Sequence, residues 1–280
     1  MLAAISALDI ALWDIKGIAA KQPVFKLLGG RTKEYIPSYY SRLYTRDLES
    51  LQKEAAYYKS QGFTGMKLRC GYPLTEGQSG LKKNVEMVKV VRETVGDDVD
   101  VMLEAYMGFN FPYAKQLLRA LEPYNLRWVE ELLLPDEIHL FSKLKQYTSI
   151  PLSGGEHEFT RFGFHDLLKE GSLDIFQFDI NRVGGFTEAQ KICTMAQMYG
   201  VEVIPHGGQM HNLHVVMSSF AAPMAEYFPQ TEIEVGNEMF WYIFNGEAIA
   251  ENGKLQLDDN KAGVGLTLKT ENLENFKITE

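Results

Sequence analysis

A single α/β domain whose parallel strands close into a (β/α)7β barrel is the fold this chain predicts, and three observations predict it. Short apolar runs alternate with helical patterns along most of the 280 residues, as in sheets whose parallel strands are joined by helices. Eight such runs with seven helices between them imply a closed sheet rather than an open one. Glu104, Glu130 and Glu156 stand 26 residues apart, each just inside the end of an apolar run. That interval is about one strand, one helix and two loops of a barrel.

The strands are read at 35–43, 65–71, 99–106, 127–133, 152–157, 174–180, 201–207 and 225–228. Continuous apolar runs such as Val99-Asp-Val-Met-Leu-Glu104 fit parallel strands covered on both faces. The helices fall at 48–61, 81–95, 111–121, 138–147, 162–170, 186–198 and 214–222, where apolar residues recur at helical spacing. Ahead of the barrel, Ile5, Leu8, Leu12 and Ile15 recur at the same spacing and predict an amphipathic helix with that face buried, ending near Gly17. Beyond the last strand come 232–238, the aromatic run 239–244, the turn-rich Asn245-Gly246 and 251–254, and 263–268. This tail reads as loop and short strands packed outside the barrel. The expected division is 1–34 for the opening helix and its link, 35–230 for the barrel and 231–280 for the C-terminal segment.

Hydrophobic residues make up 45% of the chain, enough for a full core, and the net charge of −9 is spread without long runs of either sign. No Lys/Arg face stands out, which argues against nucleic acid or an anionic membrane as partner. No run is long enough to cross a bilayer. Cys70 and Cys193 are too few for a disulfide framework and show no zinc spacing, which fits a reducing cytoplasm. The opening stretch lacks the basic start and cleavage site of a signal peptide.

Hard oxygen ligands converging at a barrel mouth suit Mg²⁺ better than zinc, so Glu104, Glu130 and Glu156 are candidate metal ligands. Any one of them alone would read as solvated loop charge. Lys67 and Arg69 alternate on the second strand, so their side chains share a side. That side is the barrel centre or, for an outward pair with snorkelling stems, solvent. Asp179 ends the sixth strand and His206 the seventh. A carboxylate beside an imidazole fixes its tautomer and favours its charged form, which makes a histidine a useful base near neutral pH. Taken alone, His206 before two glycines is equally a turn residue.

These residues, in this order, resemble the enolase superfamily, its mandelate racemase subgroup, and most closely that subgroup's acid-sugar dehydratases. The likeness runs from Ala7-Leu-Asp-Ile-Ala-Leu-Trp-Asp-Ile-Lys-Gly17 and Lys26-Leu-Leu-Gly-Gly30 to Gly263-Val-Gly265. Its most specific pieces are Trp128-Val-Glu-Glu131, Gly155-Glu156, Asp179 with Gly184-Gly185, and Pro205-His206-Gly207. The resemblance implies Mg²⁺ on Glu104, Glu130 and Glu156, a Lys-x-Arg motif at Lys67 and Arg69, and a histidine-aspartate dyad at His206 and Asp179. It implies that Glu226 hydrogen-bonds the substrate carboxylate. His157 looks like the extra histidine of rhamnonate dehydratase and is expected to bind substrate, with orientation of Glu156 as the alternative. The third-strand ligand of the family is usually Asp, so Glu104 sets its carboxylate one methylene further out. The family's N-terminal capping domain is expected to be largely missing here, apart from its last helix and the C-terminal segment that packs on it.

The activity so implied is that of a Mg²⁺-dependent hydro-lyase. A proton beside a carboxylate is too weakly acidic to be removed unaided, so a metal and a cationic residue must offset the charge of the resulting dianion. Lys67, pressed by Arg69 and metal, is expected to have a lowered pKa. The expected reaction is dehydration of a sugar acid through an enediolate to a 2-keto-3-deoxy acid, with His206 helping the β-hydroxyl leave. Lys67 and His206 acting at the α-carbon from opposite faces would give a racemase or epimerase instead. A truncated, non-catalytic barrel is the rival from another class. The resemblance further implies a cytoplasmic homo-oligomer acting on a small sugar acid.

Overall fold

The computed structural model describes residues 1–44, 47–230 and 239–273. Eight parallel strands follow in chain order: β1 (Ile36–Leu43), β2 (Gly65–Arg69), β3 (Asp100–Glu104), β4 (Trp128–Glu130), β5 (Leu152–Gly154), β6 (Ile175–Phe176), β7 (Glu202–Val203) and β8 (Ala225–Tyr227). β1 pairs with both β2 and β8, and each later strand pairs with its predecessor as far as β7. At the closing seam the Val203 N–H donates to the Ala221 carbonyl at 2.8 Å.

Helices α1 (Leu2–Ala20) and α2 (Val24–Leu27) precede the barrel. The crossovers are α3 (Leu48–Ser60), α4 (Gly77–Val95), α5 (Phe111–Leu121), α6 (Ile138–Leu144), α7 (Thr160–Glu170), the pair α8 (Ile180–Val183) and α9 (Gly185–Tyr199), and α10 (Met210–Ser218). Local chemistry sets where several begin. Asp47 accepts the Ser50 N–H at the start of α3 and Asn110 the Tyr113 N–H at the start of α5, each satisfying a free first-turn donor. The core has two layers. Tyr39, Met102, Trp128, Ile175, Ile204 and Met224 form one buried cluster, with the Tyr39 and Trp128 rings edge to face at 5.3 Å. Leu51, Val88, Leu117 and Phe164 belong to the larger cluster that joins the strands to the surrounding helices.

Most strands stop earlier than the sequence suggests, and in β5, β6 and β7 the shortening moves a candidate residue off the strand. β5 ends at Gly154 because Gly155 turns with φ 114°, where an added Cβ would meet the Phe164 ring at 2.9 Å. Glu156 therefore stands on the following loop. Asp179 lies beyond β6 as the N-cap of α8, and His206 lies beyond β7.

Helix α1 overturns its expected orientation. Ile5, Leu8, Leu12 and Ile15 are 48–67% exposed, and the buried face is instead Ser6, Ile10 and Gly17. Polar bonding decides the matter. Ser6 Oγ accepts the Gly184 N–H at 2.9 Å, Asp9 accepts the Thr187 N–H at 3.0 Å, and Asp14 accepts the Val264 N–H at 2.7 Å. The first two satisfy donors at the start of α9, so α1 caps that helix from outside. The helix also runs past Gly17 to Ala20. Gly17 faces the Gly263 turn, where a Cβ would stand 2.6 Å from the Gly263 Cα.

In the tail, α11 (Met239–Ile243), β9 (Phe244–Asn245), β10 (Lys254–Leu255), β11 (Thr267–Leu268) and α12 (Thr270–Leu273) follow. β9 pairs with β11, whereas β10 lies antiparallel on β1 and so extends the barrel sheet itself. Residues 232–238, read from the sequence as part of this tail, lie outside the described residues.

Candidate active site

Strand register sets the first part of the site. Arg69 on β2 stands level with Glu104 on β3, and Glu104 level with Glu130 on β4. Lys67, one pleat below Arg69, is buried and points the same way. Its Nζ lies 2.8 Å from Glu130 Oε1, 2.9 Å from Glu226 Oε1 and 3.7 Å from Glu104 Oε2. Arg69 donates to both oxygens of Glu104 at 2.9 and 3.1 Å, so the longer arm of a glutamate here reaches the guanidinium. Trp128 Nε1 and Gln177 Nε2 also donate to Glu130, at 3.1 and 2.8 Å. Glu226 on β8 accepts further hydrogen bonds from Ser41 Oγ and the Gly207 N–H.

The second part stands on the loops after β5, β6 and β7. His206 Nε2 is 3.1 Å from Glu156 Oε2, and its Nδ1 is 3.4 Å from Asp179 Oδ2. Arg182 bridges the same two acids, at 3.0 Å from Asp179 and 3.4 Å from Glu156. His157 Nδ1 lies 3.1 Å from Glu131 Oε1, and its Nε2 lies 3.5 Å from Glu156 Oε1. His157 thus touches Glu156 but is held by Glu131, which itself takes a left-handed backbone at φ 44°. Six buried acids, Glu104, Glu130, Glu131, Glu156, Asp179 and Glu226, meet in this region.

Burial and pairing divide their protonation. Glu156 is raised chiefly by burial, with His206 opposing. Glu130 is raised by burial despite Lys67, whereas Glu226 is held below the ordinary carboxylate range by Lys67 and His206 against its own burial. Glu130 and Glu226 share Lys67 and titrate as a pair, in which Glu226 holds its charge more firmly than Glu130. Burial also raises Asp179, but the hydrogen bond and charge of His206 together with Arg182 carry it below its usual value. His206 is pushed up to about 10, because Asp179, Glu156 and Glu226 outweigh its burial. The lowered Lys67 pKa expected from sequence assumes a metal beside it, and among the carboxylates alone the shift runs the other way. Burial pulls Lys67 down, but Glu130, Glu226 and Glu104 raise it well above the ordinary lysine value, and Arg69 directs its charge at Glu104. The hydrogen bonds to Glu226 likewise favour its anion, whereas bonding a substrate carboxylate requires a proton there.

The donor chemistry fits a hard divalent cation. Glu104, Glu130 and Glu156 offer an all-oxygen set, all three are buried, and the upward displacement of Glu130 and Glu156 marks the cost of burying them as anions. In the structure each is met by a cation: Glu104 by Arg69, Glu130 by Lys67, Glu156 by His206. Among the described residues, the ligand atoms that approach within 4.8 Å of one another belong to Glu131, Glu156 and His157 rather than to that trio. Glu131, Gln177 and Arg182 were not singled out from the sequence. The available signals were the second acid of Glu130-Glu131 and a cation three residues after Asp179.

Comparison with known proteins identifies the family of the chain. The family described as Enolase C-terminal domain-like matches residues 50–272, and the mandelate racemase / muconate lactonizing enzyme N-terminal domain matches residues 1–29. L-rhamnonate dehydratase of Saccharopolyspora erythraea is 34% identical over 97% of this chain and 67% of its own length. Arabinonate dehydratase of Saccharolobus solfataricus is 34% identical over 99% of this chain and 72% of its own. The crystal structure of rhamnonate dehydratase from Gibberella zeae complexed with Mg superposes with a TM-score of 0.85 at 33% identity, covering 98% of this chain and 66% of that one.

Proposed function

The chain belongs to the enolase superfamily, with its mandelate racemase / muconate lactonizing enzyme domains, and from that membership we propose that it is a Mg²⁺-dependent dehydratase of sugar acids. The observation that carries the reading is the imidazole of His206, held between Glu156 and Asp179, with Glu226 between its charge and that of the buried Lys67. That pairing places a proton-carrying group among carboxylates that are candidate metal ligands. Rhamnonate and arabinonate are the substrates that the relatives' names suggest.

Glu104, Glu130 and Glu156 would hold the ion. Bound there, Mg²⁺ supplies positive charge that polarises a substrate carboxylate and offsets the charge left when the neighbouring proton departs. The protein's own groups do the rest. The C2–H bond of the acid breaks to Lys67 in its neutral form, the C3–O bond breaks as His206 delivers a proton, water leaves, and the enol product becomes the 2-keto-3-deoxy acid. Asp179 and Arg182 hold His206 and its neighbours in place, and Asp179 favours the imidazolium that performs the delivery. Lys67 and Arg69 place cationic charge beside the developing dianion. Glu226, which must take up a proton before it can donate to the substrate carboxylate, is assigned to that carboxylate, and His157 to substrate binding. The division into 1–34, 35–230 and 231–280, and assembly as a cytoplasmic homo-oligomer, are part of the same proposal and rest on the family resemblance.

The test is to incubate L-rhamnonate and arabinonate with Mg²⁺ and to measure 2-keto-3-deoxy product, using His206→Asn as control. Product from the unsubstituted chain alone supports the proposal. No product from folded, Mg²⁺-loaded protein across a panel of aldonates would sink it.

A further inference from the structure

Beside His206 lies a cavity of about 230 Å³ with a mixed lining. Asp179, Asn181, His206, Gly207, Gln209 and His211 supply its polar part, and Phe240, Ile243 and Phe244 its apolar part. At about 30 Å³ per water, the space would hold about seven waters, or a short hydroxylated chain. The His211 ring meets Phe244 edge to face at 6.0 Å, which fixes its plane. Its Nδ1 is shut off from solvent with no hydrogen-bond partner among the described residues, so Nε2 is the nitrogen left to face the cavity.

We infer that this cavity is the subsite for the part of the substrate beyond C3, and that His211 reads a neutral hydroxyl there, so that the enzyme takes aldonates with a hydroxylated tail and rejects the corresponding diacids. The inference rests on the sugar-acid reading of the site. A polyol chain has apolar C–H faces and polar edges, and the cavity offers apolar side chains as well as an amide and an imidazole. Burial supports the choice of a neutral ligand by pushing His211 down to about 4, so the imidazole carries no charge at neutral pH. A second carboxylate would enter the space next to Asp179, where the one cation lining the cavity, His206, is already held by Glu156 and Asp179.

The test compares three acids: arabinonate, its five-carbon diacid, and glycerate, which has the reacting C2 and C3 but no tail. The unsubstituted enzyme should prefer arabinonate to both. His211→Leu should lower kcat/KM for arabinonate about tenfold, the effect of one lost hydrogen bond, while leaving glycerate unchanged. His211→Gln, which places an amide where Nε2 stands, should recover most of the loss, and this separates hydrogen bonding from a folding defect. Equal loss on arabinonate and glycerate, no loss on either, or diacid turnover matching arabinonate would each overturn the inference. Should no acid be turned over, the dehydratase reading falls by itself. Saturation-transfer NMR on arabinonate then decides the subsite. Contact at C4 and C5 in the unsubstituted protein that is lost in His211→Leu sustains it, and equal contact in both overturns it.

Discussion

Replacing Lys67 by Met removes the one ammonium that three buried carboxylates share. Glu130 and Glu226 lie within 2.9 Å of it and Glu104 within 3.7 Å, and every member of the group is at most 4% exposed. Stranding a buried charge by deleting its partner costs about 3–5 kcal/mol. With an unfolding entropy of about 2.1 cal/mol/K per residue, a chain of 280 residues should lose about 5–9 °C in Tm. The loss should depend on pH with a defined sign. Without Lys67 the buried carboxylates have folded pKa values above their unfolded ones, so the variant is most stable below about pH 4.5 and weakens as pH rises through the raised values. In the unsubstituted protein Glu226 is depressed, so its contribution is present above that range and lost on acidification. The gap between the two should therefore widen from pH 4.5 to pH 8, and adding Glu226→Gln to Lys67→Met should narrow it. Calorimetric unfolding without divalent ions across that range is the assay. A Lys67→Met protein as stable as the parent at pH 8, or a gap independent of pH, would refute this account of the charges.

Glu247 is buried, accepts the Met210 N–H at 2.7 Å, and is raised by burial to about 7. The neutral acid stabilises the fold fully below pH 4.5 and loses that effect as pH rises through 7, so Glu247→Gln should gain up to about 3 kcal/mol on the parent between urea titrations at pH 4.5 and pH 8; a constant difference would contradict the assignment. Gly17→Ala drives a Cβ to 2.6 Å from the Gly263 backbone and should cost about 1–3 kcal/mol in the same titration. Mg²⁺ at 100 times its Kd should stabilise the protein by about 2.7 kcal/mol, and Glu156→Gln should reduce that gain; an unchanged gain in thermal shift with and without EDTA would remove Glu156 from the ligand set.

The barrel was legible because each crossover repeats one pattern, an apolar run and then an amphipathic helix, and because that repeat spaces Glu104, Glu130 and Glu156 evenly. Lys67 and Arg69 followed from the pleat alone, and both do face one side. The orientation of α1 was not legible. Its apolar stripe points outward because Ser6, Asp9 and Asp14 answer backbone donors of Gly184, Thr187 and Val264, partners more than 170 residues away in the chain. The acids around Lys67 were not legible for a related reason, since spacing places the cations but does not count the carboxylates that fold around them. Gln177 reaches the site just beyond β6 and Arg182 from α8, where their types carry no signal alone.

The central claim is tested most directly by proton NMR of L-rhamnonate and arabinonate with Mg²⁺ in D₂O, comparing the unsubstituted protein with His206→Asn. The account predicts loss of the C2 proton together with conversion to the 2-keto-3-deoxy acid, and neither change to product in the variant. Recovered acid carrying deuterium at C2 without any keto acid would contradict dehydration and identify an epimerase, and a C2 proton unchanged in folded, Mg²⁺-loaded protein would contradict the proposed chemistry as a whole.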